Sequence, residues 1–282
     1  MMIANTKRGL ALALAICFLL CLSGCSGKDD KQPPASSPSG EYDENGGFRP
    51  SVPDRKQELT QAVQENGDSV AWLTLPNTEI DDVVVQGENN EFYLRKDAKK
   101  NYSYAGCYYM DYENTVGEDE TDFSQNTIIY GHNLGKPMGV KDDPNGDKFA
   151  QLLKLTYPET AKNTPYIFLT TKNGEYIYEI FAVFYSEAMT KPVPYHLVNY
   201  SEDDFNELIE DVKSRSLYLY DTQVSAQDKV LTLSTCSYKY GSYSQNPDQR
   251  FVVMGRLVQE GEPYYEQAQM MVNDMPREPE FD

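Results

Sequence analysis

A chain of 282 residues with 40% hydrophobic positions is long enough to bury one globular core of roughly 200 residues plus appendages, which excludes a peptide and a wholly disordered chain. Its 44 acidic against 25 basic side chains leave a formal charge of −19, and with no local basic cluster this excludes nucleic acid as a partner. The use of 22 tyrosines and a single tryptophan favours strands with polar-aromatic surfaces over a helical bundle.

Residues 1–25 read as a signal peptide. Lys7 and Arg8 precede an apolar run at 10–22 that is shorter than the ~20 residues of a membrane span and has the length of a secretory core. The run ends in Leu22-Ser23-Gly24-Cys25, which resembles the lipobox of bacterial lipoproteins. That resemblance implies lipidation at Cys25, a membrane tether at the N-terminus and a domain on the extracellular face. An uncleaved signal anchor is the alternative. Residues 26–52 are Pro, Ser, Gly and acid with almost nothing to bury, so a flexible linker spanning tens of Å is expected. Of five cysteines, only Cys107 and Cys236 then belong to the domain, about 130 residues apart. An exported pair is able to form a disulfide, although a domain of this size needs no staple.

Order is expected from residue 53. Pro53-Asp54 open a helix with Leu59, Ala62 and Val63 on one face and Asn66-Gly67 as its stop. About eight strand signals follow, at 70–75, 83–86, 106–110, 127–130, 166–171, 175–185, 230–234 and 250–258. Two helices interrupt them: one at 147–155 carrying Phe149, Leu152 and Leu153, and one opened by Ser201-Glu-Asp-Asp204, with Phe205, Leu208, Ile209 and Val212 on one face. Many short strands and few helices make a mainly β barrel or sandwich with helical insertions. The catalytic or binding domain is thus bounded at 53–260, and 261–282 reads as an acidic C-terminal tail.

Chemistry has few candidates. Cys236 ends the apolar run VLTLSTC and starts a polar, tyrosine-rich loop, which puts its sulfur at a sheet rim. The chain holds two histidines, His132 just past the strand NTIIY and His196 in PYHL. A thiol nucleophile needs a base and proton donor nearby, and histidine supplies both. Arg250 opens the strand that follows the cysteine loop, so neighbouring strands set it beside Cys236, where a guanidinium stabilises a thiolate or an oxyanion. From the residues alone, the alternative stays open that Cys236 is a small buried cysteine, His132 a satisfied loop residue and Arg250 an edge-strand charge.

These residues also carry a family resemblance. TLSTC at 232–236, IIYGHN at 128–133 and QRFVV at 249–253 resemble the Cys, His and Arg motifs of sortases, and AWLTLP, IDDVVVQG and AGCYYMDYEN resemble the early strands of class B. The resemblance covers about residues 54–258. It implies an eight-stranded sortase-type β-barrel with an N-terminal helix and a helical insertion between strands six and seven. It implies a cysteine transpeptidase without cofactor or metal, acting on the sorting signal of secreted proteins: Cys236 forms a thioacyl intermediate after Thr, His132 shuttles the proton and Arg250 holds substrate and oxyanion. The acceptor is then a peptidoglycan precursor (lipid II) amine, or a pilin amine in a pilin-polymerising member, and the enzyme a monomer on a Gram-positive-type cell surface. Asn90, Leu94, Tyr195, Ser234 and Thr235 match positions of the peptide groove, with His196 beside it as an exposed polar residue. A surface lipoprotein that keeps the barrel only to bind is the rival of another class. A papain-like hydrolase is disfavoured because His132 precedes Cys236. The loops after His132 and after Cys236 are longer than usual. The acids Asp142, Asp143 and Asp147 in the first lack the ligand alternation of a Ca²⁺ loop and are expected in a solvated turn.

Overall fold

The strand alternation is visible residue by residue. In the computed structural model, which describes residues 35–117, 119–188 and 194–281, strand β1 (Ser69–Leu75) buries every second side chain, with Ala71, Leu73 and Leu75 facing inward. It pairs with β2 (Ile80–Gln86), and the barrel continues through β3 (Tyr108–Met110), β4 (Asn126–Tyr130), β5 (Tyr166–Thr171), β6 (Glu175–Glu187), β7 (Val230–Cys236) and β8 (Gln249–Leu257). These eight strands close in the order β6-β8-β7-β4-β3-β2-β1-β5. Two pairings are parallel, β2 with β3 and β4 with β7; the others are antiparallel. Leu73, Val84, Ile129, Leu231, Leu233, Phe251 and Val253 fill the interior.

Strand β6 is apolar on both faces. A register irregularity between Ile180 and Ala182 inserts one residue and flips the phase, so Tyr178 and Ile180 face in, Phe181, Ala182 and Phe184 face out, and Val183 and Tyr185 face in again. The outer set packs under the helix Glu202–Arg215 with Phe205, Leu208, Ile209 and Val212. This helix lies between the sixth and seventh barrel strands, and the Ser201 hydroxyl caps it by accepting from the Asp204 amide at 3.2 Å. Acids in its first turn and Lys213 and Arg215 in its last complement the helix dipole. An N-terminal helix Lys56–Glu65 packs through Leu59, whereas Val63, expected on the same face, is exposed.

Three expectations change. The segment expected as a helix at 147–155 is a bridge at Asp147–Lys148 followed by a 3₁₀-helix, Phe149–Thr156. Three residues per turn align Phe149, Leu152 and Leu155, all fully buried against the barrel interior, in one row. The expected flexible linker 26–52 is ordered in its second half: Gly40–Tyr42 pairs with Phe48–Pro50, and Phe48 is buried against Tyr166 and Phe168. The acidic tail expected at 261–282 is folded back over its described residues, 261–281. The Ala268 amide donates to the Lys162 carbonyl at 2.8 Å, Met270–Val272 pairs with Tyr218–Tyr220, and Phe281 packs on Tyr240. Sparse apolar residues spaced along polar stretches (Phe48, Tyr264, Ala268) suffice to dock them on a barrel already formed. The leader with Cys25 lies outside the described residues, among which no helix is long and apolar enough to cross a membrane.

Candidate active site

Strand topology brings the three reactive candidates to one rim. In the parallel pair β4–β7, Tyr130 stands opposite Ser234. Two residues further along each strand come His132 and Cys236, so both leave the sheet at the same end. The Asn133 side-chain amide, one residue past His132, donates to the Cys236 carbonyl at 2.9 Å. On the other side, β7 and β8 run antiparallel with Cys236 opposite Arg250. Ser186 on β6 is the next neighbour of Arg250, with a buried hydroxyl that has no partner among the described residues.

Phase decides which way these residues face. Leu231 and Leu233 point into the barrel, so Thr232, Ser234 and Cys236 share its outer face. Arg250 shares that face with Val252 and Met254, since Phe251 and Val253 point inward. Cys236 is half-buried and forms no disulfide, and Cys107 is a separate free thiol. Burial pushes the Cys107 thiol up to about 12, which disfavours its thiolate.

His132 is fixed by its neighbours. Its Nε2 lies 2.7 Å from the Leu94 carbonyl oxygen, which only accepts, so Nε2 carries a hydrogen and Nδ1 holds the lone pair of the neutral ring. Gly106, at φ +62°, lets the ring approach closely: a Cβ there meets His132 Cδ2 at 3.0 Å. Burial lowers the His132 pKa, the Leu94 bond opposes that, and Arg95 adds to it. Arg250 Nη1 donates at 2.8 Å to the carbonyls of Pro247 and Gln249, its own approach loop.

The groove candidates divide. The Ser234 hydroxyl is 2.9 Å from Tyr195 Oη, both deeply buried, and the Thr235 hydroxyl donates to the Gly131 carbonyl at 2.7 Å. Tyr195, Ser234 and Thr235 thus form a support under the rim. Asn90 donates to Asp111 Oδ2 at 2.8 Å and accepts from the Tyr112 amide at 3.0 Å. Leu94 offers its carbonyl to His132 while its side chain packs with Tyr93, Cys107 and Tyr109. His196 is half-buried against Tyr195, and burial lowers its pKa. Asp142, expected in a solvated turn, is instead drawn inward, where it accepts from Asn133, Ser237 and the Tyr238 amide. Asp143 caps its own loop at Lys136 and Asn145, and Asp147 is exposed, so the three acids diverge. Among the described residues no group of His, Cys, Asp or Glu side chains is arranged to hold a metal.

The family model for the sortase domain matches residues 73–258. The chain belongs to the sortase family. Sortase B of Listeria monocytogenes is 33% identical over 204 residues, 72% of this chain and 75% of that protein. Sortase B of Staphylococcus aureus is 26% identical over 193 residues, covering 68% and 71% respectively. Among solved structures, a Staphylococcus aureus sortase B–substrate complex superposes with a TM-score of 0.60 at 23% identity, over 73% of this chain and 87% of that one. Sortase B from B. anthracis in complex with AAEK1 gives 0.57 at 27% identity, over 79% and 90%. The sortase is therefore of class B and a cysteine transpeptidase. Sequence reasoning singled out Cys236, His132 and Arg250 but passed over Asn133, although it closes the IIYGHN motif, and gave Asp142 no role.

Proposed function

We propose that this sortase cleaves a C-terminal sorting signal after threonine and transfers the new carboxyl end to an amine on the cell surface. The Cys236 thiolate attacks the threonine carbonyl carbon, forming a C–S bond and an oxyanion that the Arg250 guanidinium and nearby backbone amides stabilise. The tetrahedral centre collapses, the scissile C–N bond breaks, and imidazolium His132 protonates the departing amine. An acceptor amine then attacks the thioester, giving its proton to neutral His132 and releasing the Cys236 thiolate. A peptidoglycan precursor amine is the acceptor of first choice, with a pilin amine as the alternative.

The observation that carries this reading is the shared rim of β4, β7 and β8: Cys236 stands opposite Arg250, and the residue after His132 hydrogen-bonds the Cys236 carbonyl. Short aligned elements that bring a proposed nucleophile and cation opposite each other, with the proposed base two residues past the neighbouring strand, support a reading in which proximity contributes to catalysis. Two sortase B complexes among the similar structures, one with substrate and one with triglycine, are consistent with a peptide donor and an amine acceptor. We further propose lipid attachment at Cys25, with the domain on the extracellular face. Quenched peptides bearing NPQTN-, SPKTG- and LPXTG-like signals, incubated with the domain and an excess of triglycine, test the activity. One signal is cleaved after its threonine and joined to glycine by the wild type and not by Cys236→Ala. Absence of cleavage across the panel, or cleavage by Cys236→Ala, refutes the reading.

A further inference from the structure

Two loops flank the proposed catalytic rim, one after His132 and one after Cys236, and a single carboxylate joins them. Asp142 Oδ1 accepts from Asn133 Nδ2 at 2.9 Å and from the Tyr238 amide at 2.9 Å, and Oδ2 accepts from the Ser237 hydroxyl at 2.8 Å. Asn133 follows His132, and Ser237 and Tyr238 follow Cys236. The same Asn133 Nδ2 reaches the Cys236 carbonyl, so Asp142, Asn133 and Cys236 form one chain of bonds across the two loops. A second stitch lies further out, where the Tyr243 amide donates to the Gly139 carbonyl at 2.8 Å. On the cysteine side the loop is also held from its far end: the Ser237 amide donates to the Gln249 carbonyl at 3.1 Å, and the Gln249 side chain donates to the carbonyls of Gly241 and Asn246 at 2.8 Å.

We infer that Asp142 is a positioning residue for the transpeptidation reaction, setting the spacing of His132 and Cys236 by holding the segments that follow both. The inference rests on the catalytic reading proposed above. Asp142 itself touches neither reacting atom. Its three donors come from two loops that no strand pairing joins at this point, and a half-buried carboxylate supplies enough lone pairs to accept all of them. Without it, the segments after His132 and Cys236 keep the Asn133 bond to the Cys236 carbonyl, but that amide loses its second acceptor and the turn at Ser237–Tyr238 loses both of its bonds to the histidine loop; a displacement of about 1 Å between two reacting groups costs as much as ~10²-fold in rate.

Asparagine separates positioning from bulk stability. In Asp142→Asn the amide oxygen still accepts from Asn133 and Tyr238, and the amide nitrogen donates to the Ser237 hydroxyl, which serves as donor or acceptor. In Asp142→Ala all three bonds are lost. The test measures kcat and KM with the cleaved peptide, melting temperature, and hydrogen exchange of the Tyr238 amide in wild type, Asp142→Ala, Asp142→Asn and Ser237→Ala. Expected are a fall in kcat of about 10- to 100-fold for Asp142→Ala with KM within about 3-fold, faster exchange at Tyr238, recovery of most of kcat in Asp142→Asn, and an intermediate value for Ser237→Ala. Retention of at least half the wild-type kcat by Asp142→Ala overturns the inference. So does an equal loss in the alanine and asparagine variants, or a loss carried by KM alone. Should Asp142→Ala fail to fold, Asp142→Asn and Ser237→Ala decide: wild-type kcat in Ser237→Ala or loss in Asp142→Asn goes against it. A wild type that cleaves no peptide contradicts the transpeptidase reading and with it this role, whereas an active wild type matched by Asp142→Ala contradicts Asp142 alone.

Discussion

At the scale of single residues, the ring of His132 is biased toward its neutral form. Burial and the nearby Arg95 charge both work against imidazolium, and only the Leu94 carbonyl favours it. A histidine whose pKa is lowered stays neutral until the pH falls below its ordinary value of 6.5. Since kcat/KM reports the ionisations of the free enzyme, the acid limb of its pH profile is expected below 6.5; a limb above that value contradicts the assignment. Arg250 is argued similarly from its position opposite Cys236. Removing one charged donor to an oxyanion typically costs ~10²–10³ in rate, so Arg250→Ala should lose about that much in acylation. Arg250→Lys keeps the charge but not the fork and should recover part of it. Acylation at half the wild-type rate or better in both variants, with unchanged melting temperature, makes Arg250 a surface charge.

At the scale of elements, the hairpin at 40–50 gives a prediction opposed to its composition. Phe48 is 8% exposed and packs on Tyr166 and Phe168, with Val258 beyond the far end of β8. That end lies about 26 Å along the strand from Arg250 at ~3.3 Å per residue. Phe48→Ala should therefore cost about 3 kcal/mol of stability and leave kcat near wild type. Unchanged thermal stability would return the hairpin to the role of a loose spacer. The barrel strands were legible because one face of each is buried, so that alternation in β1 or the apolar run of β7 reports directly on packing. The pairing of Cys236 with Arg250 was legible because one loop joins the two strands that carry them, whereas the nearness of His132 to Cys236 was not, since it depends on the parallel pairing of strands far apart in the chain. The 3₁₀ turn at Phe149, the docked tail and Asp142 were not, since each depends on surfaces made by distant parts of the chain. An acid in a polar run gives no sign of whether it faces water or three donors. Tyr195, Ser234 and Thr235 were legible as residents of the site region, but only packing shows that their hydroxyls are spent on one another and on Gly131.

At the scale of the whole molecule, attachment and chemistry are separable claims. Lipidation at Cys25 predicts a mature protein that begins at that residue and partitions into detergent, and mass spectrometry finding an intact N-terminus from Met1 contradicts it. The chain's formal charge of −19, with its leader carrying Lys7 and Arg8 and no acid, sets the rest against anionic lipid headgroups, so detachment of the tether should release the domain from membranes. The central claim, that the rim of β4, β7 and β8 performs acyl transfer through one thiol, is tested most directly by trapping the intermediate. Wild type, Cys236→Ala and Cys107→Ser are mixed with a cleaved sorting peptide without acceptor amine, quenched in acid and measured by intact mass. Wild type and Cys107→Ser should gain the mass of the peptide segment ending in threonine, lost again on adding triglycine, while Cys236→Ala stays unmodified. An adduct on Cys236→Ala, or its absence from wild type while the peptide is consumed, would contradict the account.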